Sequence, residues 1–144
     1  MKQYKKILLF IFFVLCFFNS YSQTTTKYRE LNTGASTGII PLFPGVSSMI
    51  GATTKYPSGI ILDYEGGIAV PSIITMKGSV GFSLDDKLDL SFGIRPWPSS
   101  TFVQMNIRRP NKSSNIVVTA ESMLWSRYLW VQNSIFTVGW RWNR

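Results

Sequence analysis

The stretch "VGFSLDDKLDLSFGIRP" constrains the fold more than any other part of the chain. Val80, Phe82 and Leu84 share one face of an extended segment, because side chains alternate along a strand. Asp85-Asp86-Lys87 then makes a tight turn. Leu88, Leu90, Phe92 and Ile94 resume the apolar face, while Asp89, Ser91, Gly93 and Arg95 occupy the other. This is a β-hairpin, and a period of two cannot be satisfied by a helix.

The same test predicts about eight strands, near 35–43, 46–55, 59–69, 72–84, 88–95, 101–109, 116–124 and 134–142. They are separated by "FPG", "YPS", "VPS", "DDK", "PWPSS", "PNKSSN" and "WSRYLWVQN". Proline suits such junctions, since it offers no ladder donor and starts turns well. "GIILDYEGGIAV" is partly a continuous apolar run, which blurs the third strand. "AESMLWSRYLW" also admits a short helix with Leu124 and Tyr128 stacked at i,i+4. The predicted class is all-β, an antiparallel up-and-down β-barrel of about eight short strands, with a sandwich as its relative.

The segment ahead of the strands reads as an address. Lys2, Lys5 and Lys6 precede an unbroken apolar run of twelve residues, Ile7 to Phe18, and Ser20 and Ser22 place a cleavage before Gln23. That layout is a secretory signal peptide over 1–22. It is short for a membrane-spanning helix, which takes about 18–20 apolar residues. A lipidation signal at Cys16 would want a small preceding residue, and Leu15 stands there. Residues 23–34, with "SQTTTK", are expected to be a flexible mature N-terminus, and 35–144 the barrel domain.

Cleavage leaves 122 residues, enough for one small barrel. The three signal lysines leave with the segment, so 12 Lys and Arg remain against 7 Asp and Glu, a net charge of +5 rather than +8. Those basic residues are scattered along an exported chain, which disfavours nucleic acid. Cys16 also leaves, so no disulfide is available to the mature protein. Histidine is absent throughout, which excludes Ser-His-Asp and Cys-His catalysis and His-containing metal sites. The expectation is a protein that is not an enzyme and carries no cofactor.

Periodicity does not say whether the apolar face points into the barrel or out of it; the content of the other face does. That face carries Thr75, Lys77, Ser79 and Ser83, then Asp89, Ser91 and Arg95, then Gln104, Asn106 and Arg108, and later Thr119, Glu121, Thr137 and Arg141. Small polar groups with a few opposite charges suit a cramped lumen, where ions must pair. Lys77, Asp89, Arg95, Arg108, Glu121 and Arg141 are the candidate lumen ion-pair network. Nine residues at about 3.3 Å rise, tilted near 40°, cover about 23 Å, close to the apolar band of a membrane barrel. Trp97, Trp125, Tyr128, Trp130, Trp140 and Trp142 fall at strand ends or in loops, where an interfacial girdle would place them.

The closing stretch "SIFTVGWRWNR" aligns Phe136, Val138, Trp140 and Trp142 on one face. It resembles the C-terminal assembly signal of outer-membrane β-barrel proteins. That signal typically ends on an aromatic residue, whereas Asn143 and Arg144 follow Trp142 here. The resemblance to small eight-stranded outer-membrane barrels covers Ala35 to Trp142 and is architectural. "PGVSSMIG" and "FGIRPWPSS" likewise look like stretches of exported barrels to which no activity attaches. The resemblance implies Sec-type export, outer-membrane lipid and the outer-membrane assembly machinery as partners, and a structural or accessory-subunit role beside a protein partner in an envelope complex. The alternative is a soluble periplasmic or secreted barrel whose centre binds a hydrophobic ligand, lined by Val80, Phe82, Leu90, Phe92, Val103, Met105, Phe136 and Val138.

Other constellations are weaker. Asp85, Asp86 and Asp89 offer too few oxygens for calcium, which takes six to eight. Asp63 and Glu65 share a strand face and read as ion-pairing groups rather than a glycosidase pair. "RRPNK", with Arg108, Arg109 and Lys112, is a basic turn that could touch lipopolysaccharide phosphates or peptidoglycan, and reads first as a solvated turn. "GSVGFS" lacks the helix a phosphate cradle needs. The loop "WSRYLWVQN" is the candidate partner-binding loop, with Trp125, Tyr128 and Trp130 around Arg127, residue types enriched at binding hot spots.

Overall fold

The computed structural model describes residues 23–37, 43–70, 72–97, 99–110, 112–123 and 134–144. They form eight strands: β1 Thr24–Thr37, β2 Phe43–Lys55, β3 Ile60–Val70, β4 Ile73–Asp85, β5 Leu88–Trp97, β6 Ser100–Ile107, β7 Ser114–Met123 and β8 Ser134–Asn143. Each pairs antiparallel with the next, and β8 pairs back onto β1, so the sheet closes into an up-and-down barrel with no free edge. Residues 1–22, where a signal peptide is predicted, lie outside the described residues.

Seven strands lie where the alternation puts them, to within three residues at either end. The first does not. In place of a flexible stretch over 23–34 and a strand over 35–43, β1 spans Thr24–Thr37. Its outer face carries Lys27, Arg29, Leu31 and Thr33, and its inner face Tyr28, Glu30 and Asn32, so no apolar alternation marks it. Pairing on both sides holds it, from Thr24↔Lys55 to Ser36↔Phe43 with β2 and from Tyr28↔Asn143 to Thr37↔Ser134 with β8. The helix considered for "AESMLWSRYLW" gives way to strand over Ala120–Met123, and the rest of that stretch lies outside the described residues.

Closure decides which face is inside. The apolar faces of β3 to β6 and β8 point outward: Ile68 is 66% exposed and Phe92 58%. The polar faces point inward, with Lys77 5%, Glu121 3% and Arg141 2% exposed. The few bulky inward apolar side chains sit opposite glycines in register: Met49↔Gly67, Tyr28↔Gly51, Ile61↔Gly81, Phe102↔Gly93 and Val117↔Gly139. A narrow lumen accepts a large residue only where its neighbour contributes no volume. At Gly51 an added Cβ would lie 2.5 Å from the Tyr28 Oη and 2.6 Å from its Cζ.

The β4–β5 ladder is interrupted twice. Between Met76↔Trp97 and Gly78↔Ile94, β5 gains a residue beside Pro96, which has no N–H to give the ladder. Between Ser83↔Asp89 and Asp85↔Leu88 the extra residue is on β4.

The β3–β4 turn holds a local strain. The Ile74 N–H donates to the Ser72 carbonyl at 2.8 Å, and Ile73 sits at φ 66°, the rarer hand of γ-turn and an unfavourable region for a β-branched residue. The Ile73 side chain is 76% exposed, so little packing offsets that strain. Ile73→Gly is expected to raise unfolding stability by about 1 kcal/mol. The urea midpoint of the refolded barrel checks this, and a lowered midpoint would mean that the exposed side chain contributes more than the backbone strain costs.

Candidate functional site

The chemistry-bearing side chains converge in the lumen. Arg141, projecting inward from β8, is the hub. Its Nε donates to Glu30 Oε2 at 2.6 Å and its Nη1 to Asp63 Oδ2 at 2.8 Å, while Nη2 lies 3.7 Å from Glu65 Oε2. Its guanidinium stacks on the Tyr28 ring, 3.7 Å from the centroid. The Tyr28 hydroxyl donates to Asp63 Oδ1 at 2.7 Å and to Glu65 Oε2 at 3.1 Å. Thr53 and Asn32 supply further donors, to Asp63 Oδ1 at 3.1 Å and Glu30 Oε1 at 2.8 Å. One planar fork thus serves carboxylates from β1 and β3 at once, which a point-charge ammonium could not do.

Lys77 on β4 carries the chain of charges across the barrel. Its Nζ lies 3.4 Å from Glu65 Oε1 and 3.4 Å from Glu121 Oε1 on β7, and stands 5.3 Å from the centroid of the Phe102 ring. Glu121 also accepts from Arg95 Nη2 at 2.5 Å and from the Ser100 hydroxyl at 3.1 Å. Each of the four central carboxylates, Glu30, Asp63, Glu65 and Glu121, therefore has a cation within 4 Å. Isolated, such charges would be intolerable away from water; paired and hydrogen-bonded, they brace opposite walls against each other.

A second cluster closes the end where β1 begins and β8 finishes. Arg108 Nε donates to Asp89 Oδ2 at 3.0 Å, its Nη2 pairs with Asp89 Oδ1, and Nη2 also reaches the Ser83 hydroxyl at 2.7 Å. Lys55 approaches Asp89 at 3.4 Å.

All six residues of the predicted network thus take part, in two groups. Lys77, Arg95, Glu121 and Arg141 share the central chain, and Asp89 with Arg108 forms the end cluster. Asp63 and Glu65 join the central chain. Glu30 and Tyr28 were not legible in the sequence, because β1 was not; the one signal is that Tyr28, Glu30 and Asn32 alternate. The other motifs resolve locally. Asp89 spends both oxygens on cations, and Asp85 Oδ1 accepts the Asp86 N–H at 2.6 Å. Arg109 bonds the Ser114 carbonyl at 2.9 Å and so closes its own turn. "GSVGFS" is the middle of β4. The loop with Trp125, Arg127, Tyr128 and Trp130 lies outside the described residues.

One expectation is corrected. Val80, Phe82, Leu90, Phe92, Val103, Met105, Phe136 and Val138, which would line a central apolar cavity, stand on the outer wall, in register with one another: Val80↔Phe92, Phe92↔Val103, Leu90↔Met105. The strand period is right and the direction reversed, because the larger polar set needs the partners that only the closed interior brings together. Among known proteins no family model matches the chain, and no curated protein or solved structure matches it either.

Proposed function

We propose that this chain spans an outer membrane as a small β-barrel and serves there as a structural or accessory subunit, without catalysis of its own. The observation that carries the reading is the inversion of ordinary globular order: paired charges in the centre and a continuous wall of exposed Ile, Leu, Val and Phe outside. Monomeric soluble proteins rarely expose so large an apolar surface, whereas hydrocarbon requires it. Trp97 at the end of β5 and Trp140 and Trp142 at the end of β8 are exposed on that wall, at the depths where an interfacial girdle forms. Side chains from opposite walls meet across the lumen, so the surface left for a protein partner is the outer wall and the rims. A soluble, ligand-binding barrel is the weaker reading, since its apolar lining faces the wrong way.

Fractionation of the native protein with a urea wash tests this directly, read together with a boiled and an unboiled gel sample. Retention in the outer membrane and a band that shifts on boiling are expected. Recovery as soluble protein would overturn the proposal and require a second copy or a lipid-like ligand to cover the outer wall.

A further inference from the structure

The charges outside the lumen are distributed unevenly. Among the described residues, the half of the barrel around the β3–β4 and β5–β6 turns has Lys77, Arg95 and Glu121 as its charged groups, with Glu65 at mid-height, and all four are buried in the lumen network. The other end carries the remaining cations. Backbone hydrogen bonds set several side by side: the Arg144 N–H donates to the Lys27 carbonyl at 2.8 Å, and the Arg108 N–H to the Lys87 carbonyl at 2.8 Å. Lys112 and Arg109 share the next turn through a 3.1 Å bond. Arg29 completes the set on the outer wall, opposite Ile50 on β2 and Trp142 on β8.

Few anions answer them. Asp89 is committed to Arg108 and Lys55, which leaves Asp85 and Asp86 at this end. Among the described residues, Lys27, Arg29, Lys87, Lys112 and Arg144 form no salt bridge, and Asp85 and Asp86 are too few to balance all five. At the β8–β1–β2 seam the basic groups do not stand on a long polar loop. Lys27 and Arg29 alternate with inward Tyr28 and so project from the same outer wall as Leu31, Ile50 and Trp142.

We infer that this basic collar binds anionic lipid headgroups, and so fixes which leaflet the end bearing β1's start and β8's finish occupies. The inference rests on the membrane reading above. The site asks for a ligand that is negatively charged and at the same time continuous with hydrocarbon. An anionic phospholipid meets both demands, with its phosphate on Arg29, Lys27 and Arg144 and its acyl chains along Leu31, Ile50 and Trp142. Long basic side chains reach such headgroups from an apolar wall without leaving it.

The test reads lipid selectivity at the tryptophans. The full mature protein is refolded into vesicles of phosphatidylcholine containing a minority of phosphatidylglycerol, with bromine on the acyl chains of one lipid or the other to quench nearby indoles. Brominated phosphatidylglycerol is expected to quench beyond its bulk share, with an enrichment of about fivefold for each fully engaged cation. The triple variant Lys27→Gln, Arg29→Gln, Arg144→Gln, whose changes are all exposed, is expected to lose that excess while keeping its heat-shifted band. Quenching by each lipid in proportion to its bulk share would overturn the collar and leave the barrel inserted. An excess that survives in the triple variant would also overturn it, by placing the selectivity elsewhere. Absence of quenching by either lipid would overturn the membrane reading itself.

Discussion

Arg141→Met is expected to destabilise the barrel by about 3–5 kcal/mol, the scale for removing one partner of a buried ion pair. A small domain is stable by about 5–15 kcal/mol in total, so the variant should refold poorly or lose its heat-shifted band. The cause is the company that Arg141 leaves behind. Glu30, Asp63 and Glu65 would face one another with Lys77 as the remaining central cation near Glu65, and Tyr28 would lose the cation over its ring. Arg141→Lys keeps the charge and loses the fork that reaches Glu30 and Asp63 together, so a smaller cost of about 2 kcal/mol is expected. Combining Arg141→Met with Glu30→Gln and Asp63→Asn removes the stranded charges and should recover much of the loss. Urea midpoints of the refolded proteins decide it. If the single and combined variants fell equally, the lost packing of the side chain, and not its charge, would be what matters.

Phe92→Arg carries the second large effect. Phe92 lies mid-strand on the outer wall with Val80 and Val103 beside it, and a charge there costs about 2–4 kcal/mol in hydrocarbon. In cells the variant should disappear from the urea-washed outer membrane. On a wall facing water the same change would stay within about 0.5 kcal/mol. Ser91→Arg supplies the contrast one residue away. Ser91 points into the lumen beside Gly81, where an arginine has no room, so it should be harmful whatever lies outside. Damage from both substitutions places lipid at Phe92; damage from Ser91→Arg alone places water there.

The β4–β5 hairpin was legible because each residue from Val80 to Ile94 obeys one alternation, and the turn residues interrupt it once. β3 was less so, since Ile61 and Ala69 point inward beside outward Ile60, Leu62 and Ile68, and the apolar letters run together. β1 was illegible for the opposite reason. Its outer face mixes Lys27 and Arg29 with Leu31, and what fixes it is pairing with strands far along the chain, which no local window contains. The lumen charges were readable as a set, because Lys77, Arg95, Glu121 and Arg141 all fall on the polar face of clear strands. Which acid meets which base was not readable. That depends on the shear of the closed sheet, which brings Arg141 to Glu30 across most of the chain and to Asp63 on a strand with which β8 does not pair.

Closure through β1 and β8 makes time a constraint on this protein. The first strand to emerge must wait for the last before its second ladder can form, and the Arg141–Glu30 pair spans 111 positions. Contacts of such long range make folding slow, and until they form the chain presents two open strand edges and an apolar wall to whatever surrounds it. Its survival before closure therefore depends on being held apart from its own copies, and loss of β8 should yield an aggregating chain rather than a smaller barrel.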